Sequence, residues 1–162
     1  MIAVLKRVVF DCNVHLQALI NESGPAGRCV DAAFRGTVEL YWSSVVSEEL
    51  RRTAQRPWLQ AKFKHITAYR LDQYLINVER VARVLEEVPE VFAYKRDPDD
   101  AHYVNLAVAA KAELIVSRDK DLLTLMDADN PDGVNFQNRF PTLRILTPPQ
   151  FLVELDGRDS RA

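Results

Sequence analysis

Residues 97–123, DPDDAHYVNLAVAAKAELIVSRDKDLL, decide the fold. The stretch opens on Asp97, Asp99 and Asp100, runs through an apolar segment, becomes a short β-branched run at 113–117, and closes on Asp119 and Asp121. An acid followed by proline starts a helix, with Asp97 as the cap, Pro98 as the first helical residue and Asp99 in the first turn. The spacing of Ala101, Val104, Ala107 and Val108 carries that helix to Ala112. If 113–117 is a strand of a parallel sheet, Asp119 lies just past its carboxyl end and Asp100 sits in the first turn of the preceding helix. Open α/β sheets bind ligands along that edge. Grouped carboxylates raise one another's pKa unless a proton or cation intervenes, and a hard divalent metal is the simplest cation for an all-oxygen set.

Working outward, residues 3–10 read as the first strand, ending at Asp11-Cys12-Asn13, so Asp11 falls on the same sheet edge as Asp119. Helices follow over 14–20 and 26–34, separated by Asn-Glu-Ser-Gly-Pro, with Gly36 suited to a left-handed cap. A second strand is expected at 38–42, then a helix beginning at Ser43 or Ser44. On it Glu48 and Glu49 point about 100° apart, so at most one faces the crevice, while Val46 and Leu50 are on the buried side. After Pro57 a short helix is expected near 59–63. Residues 67–88 read as one long amphipathic helix with Leu71, Tyr74, Leu75, Val78, Val81, Ala82 and Leu85 on one stripe, ended by Pro89. A short strand is expected at 91–94, a polar surface loop from 127 to 140, a last strand at 143–146, and a helix at 149–155 before a frayed tail at 156–162.

The 162 residues fit one domain, 1–155, with 48% hydrophobic and 27% charged residues. A net charge of −2 and a pI near 5.9 argue against a non-specific DNA binder but leave room for a basic rim around an acidic centre. Cys12 and Cys29 lack the spacing of a zinc site and imply no disulfide, which points to a reducing cytoplasm. The amino end is too short for an export signal, and no apolar run of about 18 residues is present to span a bilayer.

Four acids from distant places, Asp11, Glu49, Asp100 and Asp119, converge on one edge of the expected sheet. Each alone is readily explained as a helix cap. Brought together, they repel, and metal binding turns that cost into chemistry. Ion pairing of Asp100 and Asp119 with Arg118 or Lys120 is the alternative. Asn13 and Ser117 stand beside Asp11 and Asp119, where they can orient a carboxylate or make a local turn bond, and Asp121 either supports the metal or starts a helix. His15, His65 and His102 show no metal or catalytic spacing and are read as non-catalytic. The run 127–133, DADNPDG, imitates a calcium loop, but its glycine is misplaced and its twelfth residue is Asn138. Arg51, Arg52 and Arg56 form a basic group able to hold a phosphate backbone at the rim.

With VVFDCNVHLQAL, SSVVSEELRR and the long third segment in view, the sequence resembles the PIN-domain family, and within it the VapC-like toxins of bacterial toxin-antitoxin systems. The resemblance runs from about Val8 to Leu152. It implies a three-layer α/β/α sandwich with a central parallel sheet, and a metal-dependent endoribonuclease using Mg2+ or Mn2+. Asp11, Glu49, Asp100 and Asp119 match the family's catalytic acids, with Asp11, Asp100 and Asp119 as metal ligands and Asn13, Ser117 and Asp121 at supporting polar positions. Cys12 and His15 depart from the usual residue types without removing an acid. The partners to look for are RNA, a small antitoxin protein and a second copy of the chain. A catalytically weak PIN-like RNA- or protein-binding module is the competing reading, and a phosphatase of the haloacid dehalogenase type is disfavoured because it wants Asp where Asn13 stands.

Overall fold

The computed structural model describes residues 4–159. Its core is a five-stranded, all-parallel sheet. The strands are β1 (Arg7–Phe10), β2 (Glu39–Ser43), β3 (Arg83–Leu85), β4 (Leu114–Val116) and β5 (Arg144–Leu146), in the order β3-β2-β1-β4-β5. Parallel strands need crossovers, and helices on both faces supply them, giving the expected α/β/α layers. The helices are α1 (Cys12–Ile20), α2 (Pro25–Phe34), α3 (Ser44–Ala54), α4 (Pro57–Lys62), α5 (Ala68–Val81), α6 (Ala101–Ala110), α7 (Lys120–Thr124), α8 (Pro131–Arg139) and α9 (Pro148–Asp159). The central strands are apolar on both faces: Val8, Val9, Phe10, Leu114, Ile115 and Val116 are all buried. Helix α6 packs across β1, β2 and β4, which explains why its sequence is apolar nearly all round.

Four expectations need correction. The helix expected over 67–88 stops at Val81. Ala82 turns extended, and 83–85 become β3, paired in register with β2 through Trp42 and Val84. Leu71, Leu75 and Val78 are buried as the stripe required, but Val81 and Val84 are exposed, and Arg83 pairs with Glu39 on the neighbouring strand. A free edge of β2 outweighed the continuing helical period. Residues 91–94, expected as a strand, are an extended loop instead, tied down by one side chain. Asn105 Oδ1 accepts the backbone N–H groups of Val91 and Phe92, and its amide donates to the Phe92 carbonyl.

The polar stretch 127–140, expected as a surface loop, contains α8. Asn130 caps it by accepting from Asp132 N, Pro131 fills the first turn, and Phe136 is buried. Gly133 is required there, since a Cβ would lie 2.0 Å from the Asp127 carbonyl oxygen. At the carboxyl end, α9 runs to Asp159, four residues past the expected end, so 156–159 are helical rather than frayed. Residues 160–162, and Ala3 of the expected first strand, lie outside the described residues.

The sheet order places β1 in the middle, with β2 on one side and β4 on the other. Chain direction therefore reverses its progress across the sheet between β1 and β4, and a crevice opens beyond their carboxyl ends.

Candidate functional site

Asp11 follows β1 directly, and its backbone N–H still bonds the Val116 carbonyl of β4 at 3.1 Å. It caps α1, with Oδ1 accepting from Val14 N at 2.9 Å. Its other oxygen, Oδ2, accepts from the Ser117 hydroxyl. Ser117, fully buried, also accepts the Asp119 N–H at 2.9 Å, so one hydroxyl ties the end of β1 to the turn after β4. Asp119 caps α7 by accepting from Asp121 N at 2.8 Å, and the Asp121 carbonyl accepts the Tyr94 hydroxyl. What Asp121 contributes to this turn comes from its backbone N–H and carbonyl. Asn13 is exposed on the first turn of α1.

The other wall begins with a single 3-10 turn, Pro98–Asp100, that leads into α6. Asp97 stands at its amino end, but its side chain makes no capping bond, contrary to the sequence expectation. Instead Asp97, Asp100 and Asp119 each present an oxygen within 4.8 Å of the others. Asp99 remains exposed.

Glu49 projects from α3 toward α6, whereas Glu48 is exposed. Glu49 Oε2 accepts from the Tyr103 hydroxyl at 2.8 Å and meets His102 Nε2 at 2.9 Å. The buried Tyr103 hydroxyl also accepts the Cys12 N–H at 2.9 Å, which joins Glu49 of α3 to the residue after Asp11. The sequence gives His102 no metal or catalytic spacing, yet the fold turns it toward Glu49. Only the fold could reveal this, since Glu49 and His102 are 53 residues apart. His15 is a core residue, fully buried among Phe10, Trp42 and Tyr74, with Nδ1 2.6 Å from the Tyr74 hydroxyl. His65 bonds the Ile20 carbonyl at the surface.

The electrostatics follow from burial and crowding. Burial pushes Asp11 up to about 6, against the bonds from Ser117 and Val14 that lower it, with the charges of Asp119 and Glu49 adding to the rise. Asp100 is pushed further, to about 8, by desolvation and then by Asp119, Asp97 and Asp11. Burial works against Glu49 too, but the bonds from His102 and Tyr103 outweigh it and hold the carboxyl below its ordinary value. Among the described residues, no Lys or Arg forms an ion pair with Asp11, Asp97, Asp100 or Asp119, so the pairing with Arg118 or Lys120 is not made.

This donor set fits a hard divalent cation. Asp100 Oδ2 is buried with no donor facing it, and its polar neighbours are other carboxylates. A proton shared with Asp119, or a cation, satisfies it. Three carboxylates with no nitrogen or sulfur favour magnesium, manganese or calcium over zinc.

Of the predicted basic group, Arg51 is paired with Asp72 at 2.8 Å, while Arg52 lies within electrostatic reach of Glu49, and Arg56 within reach of Cys12. No helix among the described residues is long and apolar enough to cross a membrane.

The chain is similar to the uncharacterized protein MJ1680 of Methanocaldococcus jannaschii, with 29% identity over 159 residues, 93% of this chain and 92% of that protein. Residues 7–121, from β1 through the Asp119 turn, match the PIN domain family. With the sheet order, the acid-lined crevice and this match in agreement, the chain belongs to the PIN domain family.

Proposed function

We propose that this protein is a metal-dependent endoribonuclease whose catalytic set is Asp11, Glu49, Asp100 and Asp119. PIN domains are generally nucleases that use divalent metal, which supports a phosphodiester hydrolase. The observation that carries the reading is the Asp100 carboxylate, buried without a donor and crowded by Asp97 and Asp119 at the sheet's switch point. Asp100 and Asp119, with Asp97 and Asp11 flanking them, would hold Mg2+ or Mn2+. When bound, such an ion neutralises charge on the scissile phosphate and acidifies the attacking water.

The chain's own residues prepare that chemistry. Ser117 fixes Asp11 and the Asp119 turn together, so two acids from separate strands keep one spacing. His102 and Tyr103 hold Glu49 ionised at the crevice edge, where it can orient a water or accept its proton. Asn13, exposed at the start of α1, would support the site by orienting a carboxylate or a metal-bound water. Arg52 and Arg56 line the rim, where cations position a phosphate backbone without reading its sequence. In the cell we assign the chain to the cytoplasm as the toxin of a toxin-antitoxin pair, on the likeness of its three motif stretches to VapC-like proteins.

The test is cleavage of a mixed RNA pool by purified protein with Mn2+, Mg2+ or EDTA, alongside Asp11→Asn and Asp100→Asn. Metal-dependent cleavage that disappears in both variants is expected. Wild-type protein that binds RNA but cuts it with neither metal would transfer the assignment to a binding module. Growth arrest on expression, relieved by a small neighbouring open reading frame, tests the toxin role separately.

A further inference from the structure

The acid-lined crevice has a basic counterpart. Residues 51–71 carry six Lys and Arg and no acid, in a chain whose net charge is −2. Two of these cations are neutralised, Arg51 by Asp72 and Arg70 by Glu22. Among the described residues, Arg52, Arg56, Lys62 and Lys64 have no acidic partner within ion-pair distance, and all four are exposed.

Their placement is directional. Glu49, Arg52 and Thr53 follow the spacing of one face of α3, so the stripe that begins at the catalytic glutamate continues with a cation, and Arg56 adds a second in the turn between α3 and α4. Thr53 on that stripe touches the Cys12 sulfur, which keeps it against the residue following Asp11. From Glu49 to Thr53 the helix rises about 6 Å, and Arg56 stands two residues past its last residue, Ala54. Two residues on, Trp58 follows Pro57 in the first turn of α4 with 58% of its surface exposed, while its neighbour Leu59 is fully buried and takes the inward position. Lys62 lies one turn beyond Trp58 on the same side of α4. The indole thus contributes little to the core and stands between two groups of free cations.

We infer that Arg52, Arg56 and Trp58 form a single-strand platform on which RNA leaving the crevice lays its phosphates along α3 and stacks a base on the Trp58 indole. This rests on the reading of the chain as a protein that acts on RNA. Free cations interleaved with an exposed aromatic are the chemistry of single-strand binding, because every base has a face to stack and the backbone supplies the charge. A second copy of the chain is the poorer occupant, since two such faces carry the same sign. A duplex keeps its bases stacked on each other and offers none to the indole.

The two tryptophans make the test direct, because Trp42 is buried and Trp58 is exposed. Intrinsic fluorescence is followed in EDTA, so binding is read without cleavage, as a single-stranded RNA oligonucleotide is titrated in. Saturable quenching is expected in the wild type and not in Trp58→Ala, whose RNA affinity falls roughly tenfold. Trp58→Tyr keeps the affinity within about threefold, because it keeps a ring to stack on. Hydrolysis of a small phosphodiester, bis(p-nitrophenyl) phosphate with Mn2+, is unchanged in both variants.

Unaltered Trp58 emission, or equal RNA affinity in wild type and Trp58→Ala, overturns the platform. Equal quenching by duplex RNA or by a polyglutamate peptide also overturns it, as does emission that responds to protein concentration rather than to RNA. A protein that cuts RNA with Mn2+ while its Trp58 stays silent keeps the nuclease reading and loses this one.

Discussion

The two acid-bearing turns at the crevice are built on opposite principles. In the turn after β4, Ser117 bonds Asp11 and the Asp119 N–H, and Asp119 in turn accepts from Asp121 N. In the turn before α6, Asp97 caps nothing with its side chain and Asp100 keeps an oxygen without a donor. One wall is set by hydrogen bonds made within the protein, and the other carries a carboxylate oxygen that no group among the described residues satisfies. A site of this kind holds its spacing in advance but keeps an electrostatic deficit that a cation removes.

The comparison breaks most severely at Asp100. Asp100→Asn should lower metal-dependent RNA cleavage roughly 100-fold or more, since metal-borne charge stabilisation is worth several kcal/mol. It should also abolish any rise in melting temperature on adding Mn2+, and a full metal-induced shift in the variant would place the ion elsewhere. Ser117→Ala attacks the preset wall. Removing the hydroxyl takes a donor from the buried Asp11 carboxylate and an acceptor from Asp119 N, costing about 1–3 kcal/mol in urea denaturation.

Tyr103→Phe sharpens the contrast by loosening Glu49 while leaving the Cys12 N–H unpaired. It should cost about 1–2 kcal/mol of stability, with a smaller loss of cleavage than Asp100→Asn. A variant as stable as the wild type would mean that water replaces the hydroxyl.

The pH dependence separates the walls more gently. Asp100 and Asp11 are raised from an ordinary 3.8 to about 8 and about 6, so folding favours their protonated forms. That contribution is full below about pH 4 and is lost as the pH rises through 6 and then 8. Without metal, Asp100→Asn should therefore be more stable than the wild type at pH 9, and its advantage should shrink toward pH 5. Thermal melts in EDTA at the two pH values read this difference. An advantage independent of pH would show that the uncharged amide acts through packing instead.

Much of this was legible in the sequence because it depends on local order. The Asp-Pro turn, the apolar helix, the β-branched run and the second acid pair each signal their own structure, and parallel strands then force Asp11 and Asp119 onto one edge. The 100° of helical rotation allowed only one of Glu48 and Glu49 to face the crevice, and the choice of Glu49 rested on the likeness of its stretch to the family's motif. What stayed hidden depends on distant partners. Nothing near His102 announces Glu49, and nothing near Asp97 reveals that its carboxylate joins Asp100 and Asp119 rather than capping a turn. Residues 83–85 carry a helical period that yields only because β2 has an unpaired edge. The helix α8 was different: Asn130-Pro131 repeats the start signal read at Asp97-Pro98, and the surrounding acids and glycine masked it as a loop.

The two strands that end the sheet are three residues long, and each is guarded by ion pairs. Arg83 on β3 pairs with Glu39, and Arg144 on β5 pairs with Glu154, which Lys6 also reaches. Short, charged margins are poor templates for strand addition. A regulator of this protein would therefore have to grip side chains on the helical faces or in the crevice, and its recognition would be written in pockets and charges instead of a shared backbone ladder.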